Sequence, residues 1–125
     1  MKQIQIGTYG SLKEGFHNHR GLGENKEFVG KDKITGTMFL RYNYPHLYLN
    51  SQNPQITKEK PTEHTLEVYK IDQEHFNVID RMEKSSGYEQ EKIKTIYGET
   101  IIWVNKDYFP PGLKYIKEYT KETLQ

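Results

Sequence analysis

Thr65-Leu66-Glu67-Val68-Tyr69-Lys70-Ile71 runs without a break into Asp72-Gln73-Glu74-His75-Phe76-Asn77-Val78-Ile79-Asp80-Arg81-Met82-Glu83-Lys84, and the periodicity changes at Asp72. The first seven residues read as a strand, with Glu67, Tyr69 and Ile71 on one face. Asp72 is a helix-capping residue type, and the apolar positions behind it follow helical spacing, which predicts a helix from about Gln73 to Lys84. Ser85-Ser86-Gly87 ends it.

Working outward, strands dominate. Gln3 to Tyr9 alternates, with Ile4, Ile6 and Thr8 on one face, which predicts a half-buried strand running into a Gly10-Ser11-Leu12 loop. Phe28 to Leu40 carries scattered β-branched and aromatic residues, with Gly30 and Gly36 as bulge or bend positions. Asn43-Tyr44-Pro45-His46 reads as a turn before a short Leu47-Tyr48-Leu49 strand. Asn50 to Pro61 is the most loop-like stretch. Tyr88 to Ile96 and Thr100 to Val104 read as two strands joined by a Tyr97-Gly98-Glu99 hairpin turn. Pro110-Pro111-Gly112 breaks the chain before a tail, Leu113 to Tyr119, read as a short helix. Six or seven strands with one clear, non-interleaved helix predict an α+β fold built on a mainly antiparallel sheet or small barrel.

The 125 residues suit a single domain, residues 1–125. Only 34% of residues are hydrophobic, yet ten Tyr and one Trp add aromatic area and the formal net charge is +1, so the chain is expected to fold. Lys plus Arg number 18 against 17 Asp plus Glu, which gives no field to hold nucleic acid or an anionic membrane. No apolar run approaches the roughly 18 residues of a membrane span. The start has no signal-peptide apolar region, and with no Cys in the chain a cytoplasmic location is expected. The absence of Cys removes disulfides, thiolate metal sites and Cys nucleophiles.

The most informative residue is Glu83. On a helical wheel with Phe76 at zero, Ile79 falls near roughly 300° and Glu83 near roughly 340°, inside the apolar arc. A carboxylate there is either desolvated or lines a cavity, unless the helix ends early and turns it to water. Burial and the helix C-terminus both raise its pKa, as a general acid/base working near neutrality requires. Tyr9-Gly10-Ser11-Leu12 is the second candidate: a strand ending in a small-residue loop can aim backbone N–H groups at a carboxylate or an oxyanion. Glu67 is read as buried and paired or as exposed, and both stay open. Other patterns fail. The Gly10 to Gly15 spacing lacks the Lys and Ser/Thr of a phosphate loop, and Gly21-Leu22-Gly23 lacks a third glycine. His17-Asn18-His19 has no third metal ligand indicated. Ser11 lacks the elbow of a triad nucleophile.

The order of these pieces resembles the gamma-glutamylcyclotransferase-like (AIG2-like) family. Tyr9-Gly10-Ser11-Leu12 followed by Gly15 and Asn18-His19 resembles its opening loop, and Tyr44-Pro45 its tyrosine–proline turn. Glu67 to Asp72 resembles its strand leading into the helix. Ile79-Asp80-Arg81-Met82-Glu83 resembles the helix end carrying the catalytic glutamate, with Tyr88 as the aromatic that follows. Tyr97-Gly98 and Ile102-Trp103-Val104 are similar to its final hairpin. The resemblance covers Ile4 to about Ile116. It implies a small mixed, mostly antiparallel six- to seven-stranded barrel with flanking helices. It also implies cofactor-free intramolecular aminolysis of a gamma-glutamyl amide to 5-oxoproline and a free amine or amino acid, with no metal. Glu83 would be the general acid/base, the backbone of Gly10, Ser11 and Leu12 would hold substrate, and Tyr9 and Tyr88 would shape the pocket. The chain departs from the family pattern at Leu66 (usually Gly), Lys84 (often Gly) and Gln90 (often Arg), and Lys117-Glu118-Tyr119 replaces a Gly-Asp-aromatic pattern.

Three readings therefore stand: a cyclotransferase acting on a small gamma-glutamyl substrate, a non-catalytic small-molecule sensor or sequestering protein of the same fold, and an interaction domain with a vestigial cavity. Neither nucleic acid nor membrane is an expected partner, and both monomer and homodimer are compatible with the sequence.

Overall fold

The computed structural model describes residues 3–10, 12–13, 19–41, 44–49, 61–105 and 113–116. In chain order the elements are β1 (Gln3–Thr8), a single 3₁₀ turn (His19–Leu22), β2 (Glu27–Arg41), β3 (Tyr44–Tyr48), β4 (Thr62–Asp72), α1 (Gln73–Ser85), β5 (Glu89–Thr95), β6 (Gly98–Val104) and β7 (Lys114–Ile116). The strands form one seven-stranded sheet in the order β3-β2-β4-β1-β6-β5, with β7 added alongside β2. Every pairing is antiparallel except β1 with β6, which is parallel at Ile6 opposite Ile101.

β2 organises the sheet. Its first part, Glu27 to Gly36, pairs with β4, with a bulge between Phe28 and Gly30. Its last part, Thr37 to Arg41, pairs with β3, and Met38 to Leu40 also pairs with β7 on its other edge. One long strand thus turns the sheet through a corner. The end of β6 meets β3 through a single backbone bond, Asn105 N–H to the Leu47 carbonyl at 2.9 Å, which draws the two sides of the curved sheet together.

Two cores follow from strand alternation. Met38, Leu47, Leu66, Val68, Ile102 and Val104 pack together inside the curve. Ile6, Tyr69, Ile71 and Trp103 face the other way and cover Phe76 and Ile79 of α1. Burying such a side chain contributes about 1.5–3 kcal/mol, so these two helix residues hold α1 on the sheet. Among the described residues no helix is long and apolar enough to cross a membrane.

Three local expectations are corrected. Tyr44, Pro45 and His46 belong to β3 instead of a turn, because the end of β2 offers them a partner ladder. Lys114–Ile116 is a strand, since the free edge of β2 supplies hydrogen bonds that a three-residue helix could not. The hairpin pairs Thr95 with Gly98, so its two-residue loop is Ile96-Tyr97 and Gly98 takes the positive φ of 99°. Lys117, Glu118 and Tyr119 lie outside the described residues, as does most of the expected Asn50 to Pro61 loop.

Candidate active site

The site is built around the C-terminal end of α1. Asp72 caps the other end, its side chain accepting the His75 N–H at 2.8 Å. At the C-terminus, Gly87 N–H donates to the Lys84 carbonyl at 3.1 Å and Tyr88 N–H donates to the Glu83 carbonyl at 2.9 Å. These are the paired 5→2 and 6→1 bonds of a Schellman motif, and Gly87 takes the left-handed φ of 93° that the motif requires. The motif has a chemical consequence: it clips buried Tyr88 back onto the turn that carries Glu83.

Glu83 is partly buried, as its place on the apolar arc predicts. Burial pushes its carboxyl up from an ordinary value of 4.5 to about 7. No hydrogen bond to this carboxyl exists among the described residues, so nothing offsets the loss of water.

Tyr9 leaves the end of β1 and is buried beneath this group. Its hydroxyl donates to the Trp103 carbonyl at 2.5 Å. Burial first, then the neighbouring Tyr88, Glu83 and Tyr48, raise the Tyr9 phenol well above 10, so it stays neutral. The electrostatic contact places Tyr9, Glu83 and Tyr88 in one cluster. The Tyr88 hydroxyl donates to the Pro45 carbonyl, and the His46 ring stacks on Tyr88 with centroids 5.5 Å apart and planes at 25°. Gly10 lies against the same Pro45: a Cβ on Gly10 would sit 2.5 Å from Pro45 Cγ, so only glycine lets the loop pass.

Of the remaining loop residues, Leu12 is buried with the helix-side core, and Lys13 N–H donates to the Gly10 carbonyl at 3.0 Å. Ser11 lies outside the described residues. Glu67 is buried and accepts a hydrogen bond from the Tyr69 hydroxyl at 3.0 Å, which settles it as a paired group. His17 lies outside the described residues, while His19 Nδ1 is 2.8 Å from the Leu12 carbonyl. His46 and Tyr48 were not singled out as site residues. Both faces of β3 are buried over Pro45 to Tyr48, so no alternation marks them.

A family model described as gamma-glutamyl cyclotransferase, AIG2-like matches residues 6–120. The chain belongs to this family. It is 31% identical over 102 residues to a Pyrococcus horikoshii protein named "Putative gamma-glutamylcyclotransferase", covering 82% of this chain and 78% of that one. The crystal structure of that archaeal protein superposes with a TM-score of 0.68, covering 91% of this chain and 86% of that chain. A mouse AIG2-like protein has the same fold, with a TM-score of 0.70 at 20% identity over 98% of this chain and 91% of that chain.

The departures from the AIG2-like pattern have local explanations. Leu66 is fully buried, and a Cβ on Gly7 of the adjacent strand would lie 2.8 Å from Leu66 Cδ1, so the space is provided by β1. Lys84 and Gln90 both turn to Asp80. Lys84 Nζ lies 2.9 Å from Asp80 Oδ2, and Gln90 Nε2 donates to Oδ1 at 2.7 Å, beside Trp103 Nε1 at 3.0 Å. An ammonium and an amide thus share the partner carboxylate, and neither contacts the Glu83 carboxyl.

Proposed function

We propose that this AIG2-like protein is a cofactor-free gamma-glutamyl cyclotransferase, with Glu83 as the proton carrier. The observation that carries this reading is a carboxyl with a pKa of about 7 and no hydrogen-bond partner among the described residues, held beside Tyr9 and Tyr88. Such a group can take and return a proton near neutrality.

The α-ammonium of a gamma-glutamyl substrate gives a proton to the Glu83 carboxylate. The freed amine attacks the carbon of its own side-chain amide, forming the ring bond and placing negative charge on the carbonyl oxygen. As the oxygen's electron pair returns, the bond to the departing nitrogen breaks and Glu83 delivers its proton there. The second proton lost by the attacking nitrogen ends on the released amine, which leaves as an ammonium with 5-oxoproline as co-product. The backbone from Gly10 to Leu12 binds the substrate carboxylate or the developing oxyanion. Tyr9 and Tyr88 wall the pocket. Both reacting groups belong to one molecule, so folding it into an attack geometry can supply roughly 7–11 kcal/mol of the barrier. Proton transfer adds about 10²–10⁴-fold.

The test is a mass-spectrometric screen of purified protein against gamma-glutamyl amino acids, amines and peptides. Appearance of 5-oxoproline with wild type and its loss with Glu83→Gln supports the reading, and the co-released amine defines the substrate class. Full turnover by Glu83→Gln overturns the role of Glu83. Silence from folded wild-type protein, together with a compound recovered unchanged from the pocket, favours the binding-protein reading.

A further inference from the structure

The geometry points to His19 as a positioning residue for the binding loop: its ring holds the Leu12 carbonyl out of the concavity that receives the substrate's anionic group. This inference rests on the cyclotransferase reading of the same site. His19 begins the 3₁₀ turn, and its Nδ1 lies 2.8 Å from the Leu12 carbonyl oxygen. A carbonyl only accepts, so Nδ1 carries the hydrogen. The ring is itself held. It meets the Tyr69 ring edge-on, with centroids 5.6 Å apart and planes at 63°. The Tyr69 hydroxyl donates to Glu67 Oε1 at 3.0 Å, and Glu67 is buried on β4 directly opposite Thr8, the last residue of β1 before the loop.

The contacts therefore close a circuit. The loop leaves β1 at Thr8, and its Leu12 end is tied through His19, Tyr69 and Glu67 to the strand that pairs with Thr8. The consequence is electrostatic. A concave loop attracts an anion only while its N–H groups, and not its carbonyl oxygens, face the ligand. Two carbonyls of this loop are already engaged elsewhere: that of Gly10 by Lys13 N–H, and that of Leu12 by His19. Releasing the second lets the Leu12–Lys13 peptide rotate and bring a partial negative charge towards the substrate. Since the ring acts through a backbone carbonyl, its loss should weaken binding more than it slows proton transfer.

The experiment uses two variants. His19→Phe keeps an aromatic edge against Tyr69 and lacks the donor, whereas His19→Asn places an amide N–H near the position of Nδ1. Amide exchange over residues 9–13 is measured without ligand, and KM and kcat are measured on the gamma-glutamyl amino acid that wild type turns over fastest. The expected result for His19→Phe is exchange and KM each raised about tenfold, the size of one lost hydrogen bond, with kcat within about threefold of wild type. His19→Asn should reverse both changes, and exchange in β1 and β4 should not move. Unchanged loop exchange, equal loss of protection throughout β1 and β4, or a fall in kcat at constant KM overturns the assignment. If wild type turns over nothing, faster loop exchange in His19→Phe that is reversed by His19→Asn upholds the positioning role while the cyclotransferase reading fails.

Discussion

Asp80 and Glu83 stand three residues apart on one helix, both partly buried, and their carboxyl groups are pushed in opposite directions. Burial alone would raise Asp80, but hydrogen bonds from Trp103 and Gln90 and the ammonium of Lys84 outweigh it and lower the group below 3.8. Glu83 has burial without those partners and rises to about 7. The difference shows that position on a helix does not set protonation; the number of donors facing the group does. Asp80 joins the helix to the β5–β6 hairpin, whereas Glu83 is left free to exchange a proton.

The largest effect expected from breaking this contrast is on turnover. Glu83→Gln should reduce kcat by about 10²–10⁴-fold. In wild type, kcat/KM should climb as pH rises through about 7, because the carboxylate form must accept the first proton. A flat pH–rate profile between pH 5 and 8 would separate the chemistry from this group.

Next in size is Asp80→Ala, which leaves the Trp103 indole and the Gln90 amide without their acceptor. Urea unfolding near pH 7 should show a loss of about 3 kcal/mol. The folded-state pKa of Asp80 is depressed, so its contribution is present above about 4 and is lost as pH falls through the depressed value. The deficit of Asp80→Ala should therefore shrink in acid.

Glu83 has the reverse sign. Its folded pKa lies above the unfolded one, so the stability linked to its protonation is present below about 4.5 and lost as pH rises through about 7. Glu83→Gln should be more stable than wild type at pH 8, by on the order of 2 kcal/mol, with the gap narrowing towards pH 4.5. Equal stability of the two proteins at pH 8 would mean that the carboxylate is well solvated.

The smallest effect sharpens the geometry. Gly87→Ala forces a β-carbon into a φ of 93° and should cost about 1 kcal/mol. Because the same turn clips Tyr88 over Glu83, activity should fall by more than the stability loss explains. A proportional change would show that the clip does not position Tyr88.

Much of this was legible in the residues. Asp72 as cap, Ser86-Gly87 as stop and the Phe76, Ile79, Glu83 spacing predicted a helix within a residue of the observed Gln73–Ser85, because capping and amphipathic spacing act within a few residues. The same spacing placed Glu83 on the buried side. The resemblance supplied Tyr9 and Tyr88 as its neighbours. What could not be read were contacts between distant segments. Asp80 looked like an ordinary helix-surface residue until Trp103 and Gln90 were folded against it. His46 and Tyr48 carried no pattern, and the Leu113 tail read as a helix because the edge of β2 that recruits Lys114–Ile116 is remote in the chain.

The sequence by itself determined which segments are strands, where the one long helix starts and stops, and that a carboxylate stands among that helix's apolar positions. These depend on side-chain periodicity, glycine conformation and capping, which are local. The tertiary structure decided the rest. It made β1 and β6 parallel neighbours, bent β2 so that one strand serves β4, β3 and β7, and gave Asp80 three partners and Glu83 none among the described residues. Protonation and recognition depend on which donors and how much water surround a group, and that is fixed only when distant parts of the chain pack together.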